Sequence, residues 1–197
     1  MKTLLSLILL TSFSAFALTS GEPAPDFTLK GLNPKSAEVS LSQFKGKIVV
    51  LEWLNHGCPF VRKHYDAGNM QALQKKHTSA NVVWFSIVSS AEGKQGYVDA
   101  AGATEEKTKN KSAATDVLLD PSGKVGNLYE AKTTPHMYVI DKDGNLAYQG
   151  AIDDKADTET ESIAGSKNYV DQAITELQAK KKVSVASTKA YGCGIKY

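Results

Sequence analysis

The chain of 197 residues has only two cysteines, Cys58 and Cys193, and its one arginine is Arg62. A chain of this length buries enough apolar surface to fold as one domain without a disulfide scaffold, so the cysteines invite a chemical reading. Charge of one sign is also scarce. Against 23 Lys and Arg stand 21 Asp and Glu, a formal net charge of +2. That balance offers no footprint for nucleic acid or an anionic membrane surface. Beyond residue 17 no apolar run approaches the roughly 20 residues that span a bilayer, and there is no internal repeat or low-complexity tract.

Residues 1–17 carry the pattern of a cleaved signal peptide. Lys2 supplies the positive start, Leu4 to Leu10 the apolar run and Ala15-Phe16-Ala17 the small-x-small cleavage site. The expected product is a periplasmic or secreted protein. It would consist of a domain over 18–182 and a C-terminal tail over 183–197 that carries Cys193. An oxidising compartment permits a Cys58–Cys193 bond, and two readings of it stand side by side. One is a structural staple, worth up to about 5 kcal/mol because the loop is long. The other, which the residues favour, is a redox pair in which Cys58 attacks and Cys193 resolves. Cys193 lies in Tyr191-Gly192-Cys193-Gly194, and its flanking glycines predict a mobile tail with the reach a resolving thiol needs.

Lys47 to Arg62, KIVVLEWLNHGCPFVR, is the most informative stretch. Ile48, Val49, Val50 and Leu51 form the apolar, β-branched run of a covered strand. Asn55-His56-Gly57 breaks it, and Pro59 suits the first position of a helix. Cys58 would then sit at that helix's N-terminal lip, where unpaired N–H groups and the helix dipole favour a thiolate. Phe27-Thr28-Leu29 and Val39-Ser40-Leu41 suggest a hairpin ahead of this strand. The Pro59 helix is expected to run to about His77, with a break at Gly68-Asn69 after which Asn69 caps a second half. Further strands are predicted at Asn81 to Val88, Val117 to Leu119, His136 to Ile140 and Leu146 to Ile152. A surface helix is predicted over 92–111, and a closing helix carries Tyr169, Val170, Ala173, Ile174 and Leu177. Strands alternate with helices and a hairpin follows, which indicates an α/β fold with a mixed central sheet.

With Thr133-Thr134-Pro135-His136-Met137-Tyr138-Val139-Ile140-Asp141 added to the strand–Cys–Pro–helix motif, the chain resembles the thioredoxin superfamily, in its exported redoxin or peroxiredoxin-like (AhpC/TSA-related) branch. The resemblance covers roughly 21–180. It implies a thioredoxin-like fold, a central mixed sheet flanked by helices with an N-terminal hairpin extension. It further implies that Pro135 is cis, that Thr134 contacts the partner and that Glu52 is the buried acid that assists proton transfer. Three features depart from the family. Val61 stands where thioredoxin has its second cysteine, so a local Cys-x-x-Cys exchange is excluded. Asn55 stands where peroxiredoxins carry threonine, and no arginine lies in the later strands.

The site residues expected are thus Cys58, Cys193, Glu52, His56, Thr134 and Pro135. Glu52 is read either as that buried acid or as an ordinary surface carboxylate turned outward. His56 would stabilise the thiolate as imidazolium or accept its proton, or else face solvent from a loop. His136 would approach Cys58 if Pro135 is cis, whereas His64 and His77 are expected at the surface. Cys58, His56, His136 and Cys193 have soft-metal ligand types but not the tight spacing of a metal motif, and the redox reading requires no cofactor. The expected function is a thiol–disulfide oxidoreductase acting on protein or small-molecule thiols and disulfides, with an external reductant. A thiol peroxidase acting on peroxides and a non-catalytic thioredoxin-fold binding module are the alternatives.

Overall fold

The computed structural model describes residues 18–34 and 38–197, so the expected signal peptide lies outside the described residues. In chain order the elements are β1 (Thr28–Gly31), β2 (Glu38–Ser40), a 3-10 turn (Leu41–Phe44), β3 (Val49–Trp53), α1 (Pro59–Asp66), α2 (Asn69–Thr78) and β4 (Val83–Val88). There follow α3 (Ala100–Lys109), β5 (Asp116–Leu119), α4 (Lys124–Leu128), β6 (Thr133–Thr134), β7 (His136–Ile140) and β8 (Leu146–Gly150). A second 3-10 segment (Thr160–Gly165), α5 (Tyr169–Gln178) and β9 (Cys193–Gly194) complete the chain. Seven strands form one sheet in the order β2-β1-β5-β4-β3-β7-β8, and β6 pairs separately with β9. The three central strands run parallel, while β7 is antiparallel to β3 and β1 to β5. This is the mixed, helix-flanked sheet expected, with β1 and β2 as its hairpin extension.

Strand β3 is buried at every position, so its alternating side chains serve two separate cores. Val50 packs with Val61, Tyr65, Met70, Trp84 and Ile174, on the side covered by α1, α2 and α5; Cys58 belongs to this core. Val49, Leu51 and Trp53 pack on the opposite side with Phe85, Tyr129 and Tyr138. With both faces covered, Glu52 has no outward direction to take, which removes its surface-acid reading.

Four local expectations are corrected. Gly68, at φ +70, separates α1 from α2 and takes the cap position. Asn69 is therefore the first helical residue, and its amide lies 2.9 Å from His64 Nδ1 instead of capping. Only residues 100–109 of the predicted 92–111 helix are helical. Gly93 and Gly96 adopt positive φ and Asp99 starts the helix by accepting the Gly102 N–H, three signals that outweigh the surrounding Ala and Lys. His64 and His77 are buried, not at the surface. Finally, the tail is fastened along its length. Thr188 N–H donates to Gln149 O (3.0 Å), Ile195 N–H to Lys132 O (3.1 Å), and Lys196 O accepts from Ala91 N–H (2.8 Å). Gly192, at φ +140, provides close approach and not mobility, since a Cβ there would overlap the Thr134 carbonyl.

Candidate active site

Cys58 is the N-cap of α1 and Pro59 its first residue. The Cys58 N–H bonds to Asn55 O (2.9 Å), and its carbonyl takes the N–H groups of Val61 (3.0 Å) and Arg62 (2.9 Å). Asn55 shapes the turn: its Oδ1 accepts from Gly57 N–H (2.8 Å), and its amide donates to Gln95 Oε1 (3.2 Å). The Thr134–Pro135 bond is cis and sets the Thr134 carbonyl 3.0 Å from Cys58 Sγ. On the other side of Thr134 runs β9, antiparallel and in register Thr134↔Cys193. The tail thereby brings the second cysteine to the first. Both are thiols, and each is among the groups that shift the other's pKa.

Two opposing influences act on Cys58. Complete burial pushes its pKa up, and Thr134 O accepts from the protonated thiol. Against them act the Cys193 thiol, the N–H groups of Val61 and Cys193, and the Thr134 hydroxyl, and the net direction is down. That hydroxyl is buried and makes no hydrogen bond within the described residues. Cys193 moves oppositely, pushed up to about 11 by burial and by the neighbouring Cys58 sulfur. Cys58 has 0% of its surface exposed, whereas Cys193 is half-buried.

Glu52 is fully buried and accepts four hydrogen bonds, from Tyr65 OH (2.9 Å), Gln74 Nε2 (3.0 Å), Trp84 Nε1 (2.8 Å) and Ser86 Oγ (3.0 Å). Burial raises its pKa and the four donors oppose that rise. None of the four is a cysteine. His56 stacks edge-on against Tyr65, with ring centroids 4.8 Å apart. Burial and Lys109 push its pKa down to about 4, so at neutral pH it brings no positive charge to Cys58 and the imidazolium reading falls. His136 is paired in register with Trp53 and stacks on Tyr138. Directly opposed residues of a β ladder share a face, which places His136 with the Trp53 core, across the sheet from Cys58. The expected approach of His136 does not occur although Pro135 is cis. The four candidate metal ligands therefore do not converge, and no cluster of three or more His, Cys, Asp or Glu suited to a metal exists among the described residues. Arg62 is exposed and pairs with Asp66 at 3.3 Å.

Sequence reasoning missed the anchor of the tail. Tyr191 OH donates to Asp153 Oδ1 (2.5 Å) and lies 3.2 Å from His64 Nε2. Its ring packs on Phe60, the second residue of α1. A tyrosine directly before Gly-Cys-Gly was a readable hint. Asp153, in the irregular segment after β8, gave none. At the other end of the tail, Tyr197 lies against Gly123 and Gly126, where a Cβ would meet its ring, and its OH donates to Ala131 O (2.7 Å).

Among solved structures, the chain is similar to an uncharacterized conserved protein from Geobacillus kaustophilus, with a TM-score of 0.76 and 22% identity over 92% of this chain and 93% of that one. A hypothetical protein from Sinorhizobium meliloti matches at TM-score 0.76 and 20% identity over 92% and 96%. A structure from Chlorobium tepidum, provisionally described as the thiol:disulfide interchange protein DsbE, matches at TM-score 0.50 and 26% identity over 68% and 85%. No curated protein matches. The fold is thioredoxin-like, and the model of the AhpC/TSA family matches residues 20–149. With two thirds of its length under that model and the cysteine–proline helix start inside it, the chain belongs to the AhpC/TSA family.

Proposed function

We propose that the protein is an exported thiol–disulfide oxidoreductase that cycles Cys58 and Cys193 between dithiol and disulfide. One observation carries this reading: β9 pairs Cys193 in register with Thr134, the residue before the cis Pro135 whose carbonyl lies 3.0 Å from the Cys58 sulfur at the start of α1. Forming the bond removes two electrons and two protons from the thiols and reduces a partner disulfide to two thiols, and an external thiol reductant reverses it. Thr134, held by the cis bond to Pro135, presents its carbonyl to the sulfur. Glu52 and His56 act as positioning residues, because Glu52 fixes Tyr65 and Tyr65 carries the His56 ring two residues before Cys58. The pattern at residues 1–17 and the likeness to the Chlorobium interchange protein support an exported, periplasmic or secreted setting.

Thiol peroxidase chemistry has less support here. The only arginine is turned outward onto Asp66, and the Asn55 side chain is engaged by Gly57 and Gln95.

Equilibration in glutathione buffers tests the proposal. The expected result is a Cys58–Cys193 disulfide, seen by mass as the loss of two hydrogens, with a potential above about −300 mV. It should be absent from C58S and from C193S. A potential well below that value would identify a structural staple and a binding module, and rapid oxidation of Cys58 by hydrogen peroxide would restore the peroxidase reading.

A further inference from the structure

We propose that Cys193, on a tail that stays docked, is the sulfur that exchanges with outside partners, and that Cys58 is the inner sulfur that resolves. This rests on the oxidoreductase reading and reverses the roles expected from the sequence. The motivating contrast is steric. Cys58 has no exposed surface, with the Thr134 carbonyl on its sulfur and β9 beyond it. Cys193 keeps part of its surface. The covering segment is built to remain in place. Tyr191 ties it to Asp153 and His64 two residues before Cys193. Tyr197 ties it to Ala131 four residues after, and Gly192 fits its backbone against Thr134.

The chemistry closes on this arrangement. In the oxidised protein an external thiolate RS⁻ attacks Cys193 Sγ. The Cys58–Cys193 bond breaks, an R–S–S–Cys193 bond forms, and the bonding pair leaves on Cys58 as thiolate. Thiol–disulfide exchange is faster when the leaving thiol has the lower pKa and the attacked sulfur is accessible, and the shifts at the two sulfurs run in that direction. A second RS⁻ attacks the R sulfur, releasing RSSR and the Cys193 thiolate, which takes a proton from water. The opposite half-reaction runs back through the same species. The Cys193 S–H passes its proton to the Cys58 thiolate as Cys193 attacks a partner disulfide RSSR, expelling RS⁻. Cys58 gives its proton to that RS⁻, then attacks Cys193 Sγ, releases the second RS⁻ and closes the protein disulfide.

The test uses the full chain, oxidised to the Cys58–Cys193 disulfide, mixed with reduced glutathione, quenched with acid and mapped by peptide mass. The expected adduct is on Cys193. Glutathione on Cys58 overturns the proposal but leaves the oxidoreductase reading intact, whereas failure to form the protein disulfide at all overturns that reading itself. A second measurement separates a docked from a peeling tail. Because Tyr197 is a surface anchor, Y197A should keep the fold and leave the rate of glutathione attack within about twofold of wild type; an acceleration of about tenfold or more means that tail opening limits exchange and overturns the proposal.

Discussion

Gly192 crosses Thr134 so closely that any side chain at 192 would overlap the Thr134 carbonyl, the same carbonyl that lies 3.0 Å from Cys58 Sγ. One backbone contact thus fixes the tail and covers the Cys58 sulfur. G192A should cost about 1–3 kcal/mol, since its φ of +140 is unfavourable for alanine as well as crowded. Urea unfolding measures that loss, and iodoacetamide labelling of Cys58, slow in the wild type, should accelerate. Unchanged labelling would show that Gly192 does not govern access.

Tyr191 and Asp153 form the second fastening. In Y191F the Asp153 carboxylate keeps only the Lys155 N–H on Oδ1, and its buried Oδ2 has no partner even in the native protein. The expected loss is about 1–3 kcal/mol, the cost of leaving a buried acceptor short of a donor. A neutral result in thermal unfolding would mean that water replaces the hydroxyl.

At Glu52 the order of damage separates a hydrogen-bond hub from a mere space filler. E52L leaves four buried donors, on Tyr65, Gln74, Trp84 and Ser86, without their acceptor, and should cost about 3–5 kcal/mol. E52Q keeps one oxygen for three of them and should cost about half as much. Denaturant titration that ranks leucine as the milder substitution would contradict the assignment.

Acid should destabilise the fold well before its ordinary carboxylates titrate. Burial holds His56, His64 and His136 at about 4 in the folded state, against about 6.5 when unfolded. Between those values the unfolded chain binds protons that the native one does not, so stability is complete above about pH 6.5 and falls as pH drops toward 4. Each histidine contributes on the order of 1–3 kcal/mol. Glu52, held above the usual carboxylate range by burial, acts in the opposite direction and offsets part of the loss. A urea midpoint that stays flat from pH 7 to about 4.5 would contradict this account.

The sheet was readable because its strands announce themselves. Ile48 to Leu51, Asn81 to Val88 and His136 to Ile140 are dense apolar runs, and Cys58-Pro59 marks a helix start by local chemistry alone. The site was half readable. Cys58, Thr134, Pro135 and Cys193 come together, yet the sequence had their tail as mobile, because a glycine needed for close backbone approach has the same identity as one needed for freedom. Histidine placement was the least legible. His56, His64, His77 and His136 differ in what packs on them, and that depends on partners far along the chain, such as Asp171 for His77 and Tyr191 for His64. His136 was assigned to the wrong side because a cis peptide bond fixes the backbone, whereas strand parity decides the face.

The sheet that divides the two cores also separates the two tryptophans. Trp84 stands on the Cys58 side with its indole N–H on Glu52, and Trp53 faces the other way with its N–H on Ser89. The molecule consequently carries one tryptophan per layer. W53F and W84F would each leave a single tryptophan, and with excitation chosen to spare the tyrosines, thiol oxidation should alter the emission of the one on the Cys58 side while the other does not respond.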